Sequence, residues 1–234
     1  MVEELPKRCT NMTPRQAAVL LSGGLDSCVL AAEMGSRFES VLPLYVKQGL
    51  RWESTELHWV RQFLFALRNS TILPLCEVEL PIGDVYQSHW STTGQQIPDH
   101  RSDDQEVYLP GRNLLLLAET SILCALRGIS VIALGPLGGN PFPDSTPEFF
   151  SRFQDAVRVA LRFEIVIETP FSQLSKKEVV QRGRNLPLEL TFSCINPAGL
   201  LHCGACNKCA ERRRSFQDAG IADRTQYKQL PILE

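Results

Sequence analysis

No apolar run in this 234-residue chain approaches the roughly 20 residues needed to cross a bilayer, so no membrane span is expected. An excess of charge of either sign is also missing. The formal net charge is −2, which leaves no electrostatic footprint for a polyanion, and nucleic acid is not an expected partner. The opening segment, MVEELPKRCTNMTPRQ, is polar and carries acids, so it reads as neither a signal nor a transit peptide and a cytoplasmic location is expected. Internal repeats, low-complexity tracts and a convincing domain linker are absent as well. With 44% hydrophobic and 21% charged residues, the composition is not that of a disordered chain.

What is present is an alternation of two periods. Short apolar runs at Ala17–Leu21, Ser40–Tyr45, Ile72–Leu80, Val131–Leu134 and Glu164–Glu168 read as buried strands. Helices are predicted between them over Asp26–Met34, Trp52–Leu67 and Arg112–Arg127. Two more open on capping boxes, Ser145 with Glu148 and Ser175 with Glu178, and run to Arg162 and Arg184. Strands alternating with helices predict an α/β fold, a Rossmann-like doubly wound parallel sheet covered on both faces. Residues 1–16 read as a lead-in, 17–190 as the α/β domain and 191–234 as a cysteine-rich C-terminal subdomain. Residues 81–110 have no sustained period and are expected to form a lid or binding loop.

SGGLDS, Ser22 to Ser27, stands directly between the first strand and the first helix. Adjacent glycines let the backbone turn tightly and bring its N–H groups to an anion, and the helix adds the partial positive charge of its N-terminus. Ser22 and Ser27 offer hydroxyls to phosphate oxygens, and Asp26 offers a carboxylate to Mg²⁺. A lone Gly-Gly would be an ordinary turn; the full hexapeptide after five apolar residues points to a phosphate loop. It is neither a Walker loop nor G-x-G-x-x-G.

Of the eight cysteines, Cys194, Cys203, Cys206 and Cys209 fall within sixteen consecutive residues. Four thiolates at this spacing suit tetrahedral Zn²⁺, with an iron–sulfur cluster as the rival. A site closed by four protein ligands is expected to be structural.

SGGLDS resembles the PP-loop of ATP pyrophosphatases, the adenine-nucleotide alpha-hydrolase type of fold. Taken with LPGRN (Leu109–Asn113), Pro143-Asp144, LSKKE (Leu174–Glu178), TFSC (Thr191–Cys194) and CGACNKCAERRRSF (Cys203–Phe216), the chain resembles the 7-cyano-7-deazaguanine synthase family from about Ala18 to Ala222. The resemblance implies an ATP-dependent carbon–nitrogen ligase. Such an enzyme adenylates a purine-like carboxylate, 7-carboxy-7-deazaguanine, and with ammonia forms the nitrile, releasing AMP and pyrophosphate. A paralogous ligase acting on another carboxylate or amide, or a PP-loop enzyme that modifies tRNA, are the alternatives.

Carried over by position, Asp26, Arg112 and Lys176 are the expected catalytic residues. Arg112 also reads as a charge opening a helix, and Lys176 as a surface lysine in a capped first turn. Nucleotide contacts are expected along Leu20, Leu21, Ser22, Gly23, Gly24, Leu25, Asp26, Ser27, Cys28, Val29 and Leu30. Substrate contacts are expected at Gln48, Asn113, Asp144 and Arg212, the last of which also reads as part of a solvated helix face. ATP, Mg²⁺, structural zinc and a homodimer complete the implied set. Two segments depart from the family pattern: LYVKQGLRW (Leu44–Trp52) lacks the family's Asp, and GPLGGNPF (Gly135–Phe142) replaces an Asn-Ala-x-Asp-Tyr-Ser-Gly-Tyr stretch.

Overall fold

A computed structural model describes residues 16–233; residues 1–15, with Cys9 and nearly all of the expected lead-in, lie outside the described residues. Its centre is β1 (Gln16–Leu20), whose AAV run is wholly buried. Around it lie β2 (Ser40–Lys47), β3 (Cys76–Glu79), β4 (Val131–Ala133) and β5 (Val166–Glu168), in the order β3-β2-β1-β4-β5. Every pair is parallel, with Ala18 opposite Leu42 on one side and Ile132 on the other. The doubly wound reading holds.

Alternation along the central strand decides which helices cover which face. Ala17, Val19 and Leu21 point to one side, where they meet α1 (Leu25–Arg37), α2 (Glu53–Leu67) and the helix α7 (Lys176–Arg182). Ala18 points to the other, with Leu42, Ile132 and Leu134, and packs on α5 (Arg112–Arg127) and α6 (Pro147–Leu161). A third cluster gathers the four cysteines with Leu50, Trp52, Ile82, Leu109 and Phe192.

Several boundaries shift for local reasons. The third strand shortens because Pro74 has no N–H to donate; Ile72 makes an isolated bridge to Val41 before regular pairing resumes at Cys76. The cap of α6 is Thr146, not Ser145: its hydroxyl accepts the Phe149 N–H at 3.1 Å, while Glu148 pairs with Arg152 at 2.7 Å. The Ser175–Glu178 capping box forms as expected. The 81–110 segment holds two single-turn helices, α3 (Gly83–Tyr86) and α4 (Trp90–Thr93), and a 3-10 turn at Asp104–Val107. It is braced on the C-terminal segment through His100 N–H to Ala205 O and Asn207 Nδ2 to Ser102 O, ahead of the last helix, α8 (Asn207–Ala219).

Candidate active site

The SGGLDS loop leaves β1 at its carboxyl end and enters α1 within a few residues. Gly23 is there because nothing else fits. Its φ is +78°, and a Cβ would stand 2.7 Å from Val60 Cγ2. The Gly23 carbonyl accepts the Phe192 N–H at 2.6 Å, so the loop is tied to the segment just before Cys194. Gly24 takes the N-cap position of α1 and supplies no side-chain cap, which leaves the first-turn N–H groups facing outward for an anion. Ser22 and Ser27 stand with their hydroxyls 3.2 Å apart, and Ser27 also donates to Gly24 O.

Asp26 has two different oxygens. Oδ2 pairs with Lys176 Nζ at 2.6 Å; Oδ1 is buried without a hydrogen-bond partner. Lys176 is the first residue of α7, held there by the Ser175 cap, and also meets Glu211 at 3.3 Å. Burial works against its charge, but Asp26 and Glu211 outweigh it and hold the ammonium well above the usual lysine range. Glu211 is itself pushed down to about 2: burial opposes this, and Lys176 and Lys208 overcome it.

A cleft of about 260 Å³ opens from this loop across the ends of β2 and β4. That is the crevice where the strand order reverses, the usual ligand position in doubly wound sheets. Arg112, at the start of α5, and Asn113 line it together with Asp144. Arg112 Nε donates to Gln48 Oε1 at 2.9 Å; Gln48 is fully buried and holds the guanidinium rather than lining the cleft. Asp144 Oδ2 accepts the Asn113 N–H at 2.9 Å, and its carbonyl accepts from Asn113 Nδ2 at 3.1 Å. Its other oxygen, Oδ1, is buried and unpartnered. Burial pushes the Asp144 carboxyl up, with the Asn113 and its own backbone N–H bonds and Arg112 pulling against it. The departing Gly135–Phe142 segment supplies part of the wall: Phe142 stacks on Tyr108 with ring centroids 4.8 Å apart, and both line the cleft.

Cys194, Cys203, Cys206 and Cys209 converge with all four sulfurs within 4.8 Å of one another. Cys194 Sγ lies 3.9 Å from Cys206 Sγ, and Cys203 Sγ lies 3.8 Å from Cys209 Sγ. Backbone N–H groups of Asn196, Cys203, Gly204, Ala205 and Cys206 donate to these sulfurs, the support that thiolates need. Gly204 makes the turn at φ +80°, where a Cβ would overlap Gln229 O.

Not every expected residue comes to the cleft. Leu20, Leu21, Ser22, Gly24, Asp26 and Ser27 line it. The side chains of Leu25, Cys28, Val29 and Leu30 lie in the hydrophobic core, which leaves only their backbone, such as the first-turn N–H of Leu25, for a nucleotide. Arg212 is a correction of the same kind. It is 1% exposed and held by its own chain, four of its five N–H groups donating to Leu188 O, Thr191 Oγ1, Ser193 Oγ and Thr225 Oγ1. It clamps the 188–193 stretch that reaches Gly23. Conversely, Tyr45 and Glu56 line the cleft without having been singled out by sequence. The available signal was Glu56 itself, a charge on the stripe shared by Val60, Phe63 and Leu67.

A parallel sheet of this order, with the glycine-rich SGGLDS turn at its switch point and a four-cysteine cluster joined to it through Phe192, defines a doubly wound α/β protein with the PP-loop type of fold. The chain belongs to the family of queuosine biosynthesis protein QueC, whose model matches residues 16–220. It is 31% identical to the 7-cyano-7-deazaguanine synthase of Porphyromonas gingivalis over 92% of this chain and 98% of that one. It is 33% identical to the enzyme of that name from Solidesulfovibrio magneticus, over 94% and 98%. The one from Methanoculleus marisnigri gives 31% over 92% and 99%. In fold it is similar to the U34-tRNA thiolase NcsA from Methanococcus maripaludis, with TM-score 0.50 and 12% identity over 81% of this chain and 62% of that one. Among the described residues no helix is long and apolar enough to cross a membrane.

Proposed function

We propose that the chain is an ATP-dependent carbon–nitrogen ligase that converts 7-carboxy-7-deazaguanine and ammonia to 7-cyano-7-deazaguanine, releasing AMP and pyrophosphate. One observation carries this: a single cleft runs from the phosphate loop to Arg112, Asn113 and Asp144, in a chain whose relatives bear that enzyme's name.

The bare N–H groups of the loop and of α1 would take the phosphates that depart as pyrophosphate. Lys176 and Arg112 add positive charge where negative charge develops, in a site partly shielded from water. Asp26 Oδ1, buried and unpartnered, would hold Mg²⁺, which supplies charge neutralisation for the departing group. The stacked pair Tyr108–Phe142 offers an aromatic wall to a planar purine, and Asp144 Oδ1 an acceptor for its N–H donors. For the cysteine cluster we assign zinc in a structural role. Sulfurs about 2.3 Å from one ion would sit about 3.8 Å apart at tetrahedral angles; two pairs stand at 3.8 and 3.9 Å, and all four sulfurs lie within 4.8 Å of one another, so a small inward shift would close them on one ion. A four-iron cluster would hold its cysteines farther apart.

Mass spectrometry of products from ATP, ammonia and 7-carboxy-7-deazaguanine tests the reading. The nitrile, AMP and pyrophosphate are expected; an unchanged carboxylate overturns the substrate assignment. Asp144→Asn presents an N–H to the purine's own donors. It is expected to raise the purine KM by about 10- to 100-fold, the value of one hydrogen bond to a charged group. The KM for ATP should stay within about twofold by the same logic, since no loop contact changes. Equal effects on both substrates in steady-state kinetics would place Asp144 outside purine recognition.

A further inference from the structure

One carboxylate in the cleft has a single side-chain hydrogen-bond partner in the protein. Glu56 lies on the inward stripe of α2, is 7% exposed, and lines the cleft. It makes no ion pair among the described residues. Its one strong contact is the Tyr45 hydroxyl, which donates to Oε2 at 2.5 Å. Its stem touches the phosphate loop, since a Cβ on Gly23 would stand 3.2 Å from Glu56 Cγ. A leucine would fill the stripe without the penalty of a buried carboxyl, at the smaller cost of leaving one hydroxyl, that of Tyr45, without its acceptor.

We propose that Glu56 is a catalytic residue, the acceptor of the proton that the ammonia nitrogen sheds as the carbon–nitrogen bond forms. The inference rests on the ligase reading above. In the step, the ammonia lone pair attacks the acyl carbon of the adenylate and one N–H bond breaks, its proton passing to a Glu56 oxygen. The carbon–oxygen bond to the phosphate then breaks and its electron pair leaves with AMP. Amide, AMP and protonated Glu56 result, and Glu56 returns the proton to water through the cleft. Conversion of the amide to the nitrile sheds two more protons from the same nitrogen, so a base at this position serves the whole sequence.

The surroundings fit the task. The charged and titratable groups facing Glu56 are Tyr45 from β2, Cys28 from α1, Glu53 from its own helix and Arg112 from α5. Burial pushes the Glu56 carboxyl up to about 8; the Tyr45 hydrogen bond and Arg112 pull against this, and Glu53 adds to it. A base near the working pH takes and returns protons efficiently.

The test separates two half-reactions. Carboxylate-dependent ATP–pyrophosphate exchange reports adenylation alone, and amide formation reports the attack of ammonia. Glu56→Gln keeps shape and is expected to retain exchange within a few-fold while amide formation falls by about 100-fold or more. Hydroxylamine, a stronger nucleophile, should still trap the adenylate in this variant. At fixed free-ammonia concentration the wild-type amidation rate should rise with pH through a limb near 8, and Glu56→Gln should lose that limb. Tyr45→Phe removes a bond that favours the ionised carboxylate, so it should move the limb to higher pH. Exchange and amidation falling together, a limb that survives Glu56→Gln, or a limb unmoved by Tyr45→Phe would each overturn the proposal. Absence of exchange in the wild-type chain would instead overturn the ligase reading itself, and this inference with it.

Discussion

Asp26→Ala is expected to lower pyrophosphate release by about 100- to 1,000-fold, the scale on which one preorganised group stabilising charge in a transition state acts. The fold should persist. Asp26 stands in the first turn of α1, its side chain 22% exposed, and its removal leaves Lys176 with Glu211 still 3.3 Å away. No buried cation is stranded, so the usual large penalty for breaking a buried pair is avoided. Asp26→Asn sharpens the result. It keeps the size of the side chain and loses the charge, and it should be nearly as inactive if the unpartnered Oδ1 is the oxygen that matters. Thermal unfolding measured beside pyrophosphate release makes the distinction. Turnover at the wild-type rate in Asp26→Ala would remove SGGLDS from the chemistry.

The loop was legible in the sequence because three independent signals coincide there: a five-residue apolar run, two glycines and the onset of helical spacing. The thiolate cluster was legible for a similar reason, since short spacers leave few ways for four cysteines to avoid one another. Other features depend on competition between neighbours. Ser145 and Thr146 both offer a hydroxyl before Pro147, and only backbone geometry decides that Thr146 reaches the Phe149 N–H. Arg212, Arg213 and Arg214 look alike in one dimension. Arg212 and Arg213 are equally well spaced from Cys209 and Phe216, and it is the Leu188 and Thr191 acceptors packed beside α8 that draw Arg212 alone into the interior. The single-turn helices of the 81–110 segment are too short to show a period. Glu56 was hidden by the residues that make its helix easy to predict, because an apolar stripe draws attention to its leucines and valines and not to the one acid among them.

Cys206→Ser is expected to cost the protein its metal and most of its solubility. Cys206 is at once a member of the converging cysteine cluster, the N-cap residue of α8 and the partner of Asp99 in an isolated bridge. Through His100 N–H to Ala205 O and Asn207 N–H to Pro98 O, the same turn holds the 81–110 segment in place. Closing such a site on zinc contributes about 10–16 kcal/mol in small zinc-folded peptides. That is comparable to the whole stability of a typical domain, about 5–15 kcal/mol. Four empty cysteines have no equivalent source of cohesion. Ionised they repel one another, and protonated they lose their value as acceptors for the five backbone N–H donors. The damage should also travel to the phosphate loop, because Cys194 lies two residues from Phe192, whose N–H donates to Gly23 O at 2.6 Å. Stripping the wild-type chain with a zinc-selective chelator, followed by assay in excess Mg²⁺, should therefore depress pyrophosphate release along with stability, and added zinc should restore both. Cys76→Ser, which changes a cysteine outside the cluster, should keep its metal. Elemental analysis reads the outcome directly: about one zinc per chain in the wild type, and far less in Cys206→Ser. Full retention of zinc in that variant would break the ligand set, and iron with a brown colour would replace zinc by a cluster.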